Sequence, residues 1–162
     1  MVEEKEIEKL VEQLAAALMV KSWRLVVAES CTGGWISKVC TDLPGSSAWF
    51  DRGFISYSYP AKVDMLGVDA GLLETMGAVS EVIARQMGAG ARRQSGADVS
   101  LAVTGIAGPG GGLPEKPVGT VWFAWSVAGE EDASECMVFP GDRNSVRRQT
   151  VIHALSGLLK RL

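Results

Sequence analysis

A chain of 162 residues, 47% hydrophobic and 22% charged, is long enough for one domain with a substantial core and too apolar for a disordered polymer. Sixteen Lys and Arg against nineteen Asp and Glu leave a net charge of -3, which argues against a general nucleic-acid binder, because that function needs a basic surface to displace phosphate counterions. Three cysteines and one histidine give neither an even disulfide set nor a zinc-ligand spacing, so no metal is expected.

The acidic start, Met1 to Glu6, carries no signal-peptide pattern, and the apolar run Leu14 to Val20 is too short for a membrane span; the expected location is a reduced cytoplasm, with no membrane partner. Ile7, Leu10, Val11, Leu14 and Leu18 recur at helical spacing and predict an amphipathic first helix. Arg24 to Glu29 reads as a buried strand. A second helix is predicted from Thr32 to about Thr41, with Ile36, Val39 and Cys40 inward and Pro44-Gly45 ending it. Trp49 to Tyr59, rich in aromatic and β-branched residues, reads as a second strand, and Pro60 starts a short helical turn that carries Lys62.

Ser80 is a plausible N-cap for a helix to about Ser95, whose Ile83, Met87, Gly90 and Ala91 give a small-residue face for close packing. Asp98 to Thr104 is a short apolar strand ahead of a glycine-rich loop. Gly119 to Val127 and Ala133 to Phe139 flank a polar turn and form an antiparallel hairpin. A last helix starts near Asp142 to Ser145 and buries Val151, Leu155, Leu158, Leu159 and Leu162. Strands separated by helices early and a hairpin late imply an α/β fold, a single domain over 1–162 with a mixed β-sheet covered by α-helices. Trp23, Trp35 and Trp49 fall at element edges and suit either a core or an interface; a homo-oligomer is expected.

Chemistry concentrates where the first strand stops at Ser30-Cys31-Thr32-Gly33-Gly34. A strand-to-helix turn exposes a nucleophile beside backbone N–H groups, so attack and stabilisation of the resulting anion occur at one place. Ser30 is the preferred nucleophile, although a serine here also serves as a helix cap. Cys31 competes, because a thiol at a helix N-terminus has a lowered pKa. The only histidine, His153, lies about 200° around its helix from Val151 and off the apolar stripe, which disfavours a Ser-His-Asp triad.

A lysine whose burial disfavours its charged form replaces histidine as a base, and Lys62, just past a strand end on the same rim as Ser30, is the candidate; otherwise it is a solvated surface lysine. No SxxK, SDN, KTG or GxSxG word is present. The loop Thr104-Gly105-Ile-Ala-Gly108-Pro-Gly110-Gly-Gly112 brings backbone N–H groups close to a ligand and cradles a phosphate or an oxyanion, or is only a flexible connection. It is neither a Walker A loop nor a dinucleotide fingerprint, so no nucleotide cofactor is expected. Ser46 and Ser47 are candidate hydroxyl donors, and Arg143 sits at a helix start where phosphate is favoured, or pairs with Asp142.

The words Ala28-Glu-Ser-Cys-Thr-Gly-Gly34, Pro44-Gly-Ser-Ser47, Tyr57 with Ala61-Lys62, Gly77-Ala-Val-Ser80, Ala102 to Gly112 and Pro114-Glu-Lys-Pro-Val-Gly119 follow one another in that order. Together they resemble the CinA C-terminal domain family, over nearly the whole chain from about Leu10. No counterpart of the amino-terminal domain found in full CinA proteins is present, so the resemblance implies the stand-alone form.

The resemblance implies an amidase that converts nicotinamide mononucleotide to nicotinate mononucleotide and ammonia, without metal or cofactor. It also implies that Ser30 attacks the carboxamide, that Lys62 is general base and then acid, and that Tyr57 positions the lysine or the substrate. Cys31, Thr32, Gly33, Gly34, Ser46, Ser47, Thr104, Gly105, Gly108, Gly110 and Arg143 are the expected substrate contacts. The chain departs from the family's words at Tyr59-Pro60, where members commonly carry Asn-Glu; a mononucleotide-binding module without turnover is the alternative that this departure suggests.

Overall fold

β1 (Leu25–Glu29) is buried along its whole length, and its side chains divide between two cores. The computed structural model describes residues 2–162. Leu25 and Val27 join Val99, Leu101, Val103 and Phe123 in one core, and Val26 and Ala28 join Ala102 and Ala124 in the other. A strand buried on both faces needs helices on both, and the chain supplies them.

α1 (Val2–Lys21), α2 (Trp35–Asp42) and α6 (Arg143–Leu159) close one face, and α3 (Tyr59–Leu66), α4 (Ala70–Met76) and α5 (Glu81–Ser95) close the other. Leu14 and Leu18 of α1 are fully buried, and each such side chain contributes about 1.5–3 kcal/mol. Close approach also shapes the second layer: a Cβ at Gly90 of α5 would lie 2.0 Å from the Leu66 carbonyl oxygen, so only glycine lets α3 settle there.

The sheet order is β2-β1-β3-β4-β5, with β2 (Phe50–Ile55), β3 (Val99–Gly105), β4 (Thr120–Val127) and β5 (Ala133–Val138). β1 runs parallel to β2 and β3, with Glu29 opposite both Ile55 and Val103; β3, β4 and β5 are antiparallel. The mixed α/β sheet is therefore as the sequence predicts. Its parallel strands deliver Ser30, the 56–62 connection and the glycine loop to one rim. No helix of the described residues is long and apolar enough to cross a membrane.

Two boundaries, one helix and the burial of two side chains differ from the sequence reading. α2 begins at Trp35 and not at Thr32, because Gly33 and Gly34 take positive φ values of 58° and 100° and hold the chain in a turn. β2 ends at Ile55, since Ser58 caps α3 by accepting from the Ala61 N–H and Tyr59 is already helical. α4 was unanticipated although its caps are legible: Asp69 accepts from the Leu72 N–H, and Gly77 closes the other end. Trp49, placed at an element edge, is 1% exposed and belongs to the core, whereas Leu159 is only partly buried.

Candidate active site

The Ser30 turn is built around a buried carboxylate. Glu29 is fully buried, and its carboxylate accepts from Thr32 Oγ1 (2.7 Å), Ile36 N (2.8 Å), Ser37 N (3.0 Å) and Ser37 Oγ (2.8 Å). Four donors at the start of α2, two of them backbone N–H groups, satisfy the anion where the helix dipole favours it. From the opposite side Arg147 of α6 donates to the Cys31 carbonyl (3.0 Å) and the Thr32 carbonyl (3.1 Å), its guanidinium lying over the Trp35 ring. The Ser30 N–H is held by Val103 O at 3.1 Å. The turn is thus fixed from β3, α2 and α6 at once.

Lys62 faces that turn. It is 1% exposed, and its Nζ lies 2.9 Å from Ser30 Oγ, 2.8 Å from Ser56 O and 3.1 Å from Tyr57 O. The two carbonyls only accept, whereas the hydroxyl both donates and accepts. An ammonium fills all three contacts with its own protons; a neutral amine gives two protons to the carbonyls and turns its lone pair to the serine. Burial disfavours the ammonium and lowers the Lys62 pKa from its ordinary 10.5 to about 8.

Ser30 and Lys62 open into a cleft of about 270 Å³, lined further by Cys31, Tyr57, the Ala78-Val79 segment, Thr104 to Gly108, Gly110, Gly111 and Arg143. The N–H groups of Ala107, Gly108, Gly110 and Gly111 have no acceptor among the described residues. Arg143 donates to Gly108 O (2.8 Å) and to the Tyr57 phenol oxygen (3.1 Å), so it ties the glycine loop to the segment that cages the lysine. A larger cavity of about 590 Å³ between α1 and α2 holds carboxylates, Lys38 and Arg148 over an apolar floor, but neither Ser30 nor Lys62.

The structure brings together Ser30, Cys31, Tyr57, Lys62, Thr104, Gly105, Gly108, Gly110 and Arg143. It leaves out others. Thr32 is fully buried and spends its hydroxyl on Glu29, and Gly33 and Gly34 shape the turn without lining the cleft. The Thr104 hydroxyl donates to Ala78 O at 3.0 Å. Ser46 and Ser47 stand in a short 3-10 turn ahead of Phe50, which pairs with Leu25 at the start of β1. Within this chain they occupy the rim opposite Ser30, roughly 16 Å away by strand rise.

Arg143 does not pair with Asp142, whose carboxylate caps α6 by accepting from Ser145 N. Cys31 departs from the helix-terminus expectation as well: it is 5% exposed, and burial pushes its thiol up to about 12. His153 sits among Phe123, Trp125 and Phe139 with Nε2 2.9 Å from Glu135 Oε2, away from the cleft.

Three contributors were not foreseen. Glu29 reads as a strand end, and its carboxylate meets the α2 N–H groups only because the turn at 30–34 folds that helix back onto it. Arg147, four residues after Arg143 and so on the same face of α6, could have been read from that spacing. Ala78-Val79 belongs to the Gly77-Ala-Val-Ser80 stretch, but nothing in the sequence carries it to this rim.

The family model of the CinA C-terminal domain matches residues 7–162. The chain is 49% identical over 153 residues to the nicotinamide-nucleotide amidohydrolase PncC of Escherichia coli K12, covering 94% of this chain and 93% of that one. The PncC of Pseudomonas putida is 52% identical over 137 residues, covering 85% of each. Among solved structures, the competence/damage inducible protein CihA from Agrobacterium tumefaciens superposes with a TM-score of 0.93 at 43% identity, covering 96% of this chain and 94% of that one.

Proposed function

The chain belongs to the CinA C-terminal domain family, and on that premise we propose that it hydrolyses the carboxamide of nicotinamide mononucleotide, releasing ammonia and nicotinate mononucleotide. Its relatives named nicotinamide-nucleotide amidohydrolase support the amidohydrolase class. The single observation that carries the mechanism is the buried 2.9 Å contact between Ser30 Oγ and Lys62 Nζ.

Neutral Lys62 takes the Ser30 proton as Oγ attacks the carboxamide carbon. The C=O electrons move to oxygen, and the Cys31 N–H, which has no acceptor among the other described residues, is the donor suited to receive the developing charge. The ammonium, steadied by the Ser56 and Tyr57 carbonyls, returns its proton to the nitrogen as the C–N bond breaks and ammonia departs. Water, deprotonated by the same amine, then cleaves the ester to restore Ser30 and release the acid. The free N–H groups of 107–111 and the Arg143 guanidinium suit the phosphate at the other end of the cleft.

Tyr59-Pro60 forms a regular first turn of α3 with Lys62 seated, which favours turnover over a module that only binds. Incubation of the purified chain with nicotinamide mononucleotide tests the reading. Ammonia should be released in equal amount with nicotinate mononucleotide, and Ser30→Ala should abolish it; an unaltered rate in that variant would overturn the mechanism.

A further inference from the structure

Ala78 and Val79 form the cleft wall between α4 and α5, a stretch with no helix or strand of its own. Side chains from three separate parts of the chain hold it or the adjoining end of α4. Thr104 Oγ1 donates to Ala78 O (3.0 Å), Lys116 Nζ donates to Met76 O (2.8 Å), and the Tyr59 phenol oxygen accepts from Ala78 N (3.2 Å). Tyr59 differs from the other two in its origin: it stands three residues before Lys62 on α3, on the same helix face. One helix therefore carries both the amine beside Ser30 and the phenol that grips the wall.

We propose that Tyr59 is a substrate-positioning residue whose hydroxyl holds the Ala78-Val79 wall at a set distance from the Ser30–Lys62 pair and so fixes the width of the cleft for the mononucleotide. The role rests on the mononucleotide reading above. Tyr59 is 40% exposed and holds the wall through its oxygen, so Tyr59→Phe removes the tie and keeps the ring.

Binding of nicotinamide mononucleotide is measured by calorimetry in the Ser30→Ala chain with and without Tyr59→Phe, where no turnover interferes. Loss of one tie should weaken Kd about five- to tenfold. Hydrogen exchange of the 76–80 segment should accelerate, while circular dichroism and the exchange of β1 and β3 stay unchanged. A Kd ratio below twofold, or no binding to either chain, overturns the assignment; so does exchange in 76–80 that stays as slow as in the parent. Ammonia release by the wild-type chain is read separately. A silent wild type that still shows the Kd ratio removes the proposed turnover and leaves Tyr59 its role.

Discussion

Arg143 Nη2 donates to the Tyr57 phenol oxygen at 3.1 Å, while the carbonyl of that same Tyr57 accepts from Lys62 Nζ at 3.1 Å. Arg143 and Lys62 therefore share one residue, Tyr57, as a hydrogen-bond partner.

If Arg143 holds the phosphate as proposed, it should matter more for a phosphorylated substrate than for the corresponding nucleoside. Arg143→Lys keeps the charge but cannot span Gly108 O and Tyr57 together, and losing a charge-assisted contact costs about 1.5–3 kcal/mol. kcat/KM for nicotinamide mononucleotide should fall by about 10- to 150-fold, and that for the dephosphorylated nucleoside by much less. Steady-state kinetics on the two substrates checks it; equal losses on both would remove the phosphate role.

The pH dependence follows from Lys62. Burial lowers its pKa to about 8, and attack requires the neutral amine, so kcat/KM should climb with pH, tenfold per unit well below 8, and level off above it. Stability moves in the same direction. Between about 8 and 10.5 the unfolded chain binds the Lys62 proton and the folded chain does not, so this group makes folding more favourable as pH rises through that window. A pH–rate profile that is flat from 6 to 9 would contradict the assignment.

Thiol chemistry should be irrelevant to turnover. Cys31, held protonated by burial with its pKa near 12, is a poor nucleophile. Cys31→Ala should keep the rate within about threefold, and thiol reagents at pH 7 should leave the wild-type chain active. Ser30→Cys, which places a thiol on the nucleophile position itself, should acquire sensitivity to those reagents.

Glu29→Gln tests the anchor of the turn. The amide offers one oxygen where the carboxylate offered two, and its NH2 meets the Ser37 N–H donor, so at least one buried donor loses its partner. Stability should drop by about 1–3 kcal/mol and kcat by about tenfold as the Ser30 contact loosens. Urea denaturation and kcat, measured on one preparation, report the two effects.

That Ser30, Lys62 and the glycine loop meet at one cleft was legible because strand ends, breakers and loop words locate a rim without coordinates. What escaped depended on depth and on which rim. The rule for Cys31 used the nearby helix terminus, but desolvation outweighs that dipole once the thiol is 5% exposed. Ser46 and Ser47 look like donors in one dimension, and only the parallel pairing of β1 with β2 assigns them to the far rim. Glu29 is the reverse case: a residue adjacent to the nucleophile whose work becomes visible only when α2 folds back onto it.

The grip of Arg147 on the Cys31 and Thr32 carbonyls spans more than a hundred residues of chain. The Ser30 turn precedes α6 in the chain, so it is made well before the arginine that clamps it. Until α6 has packed, the two carbonyls of this turn lack those donors, so the shape of the Ser30 turn depends on a helix distant in sequence.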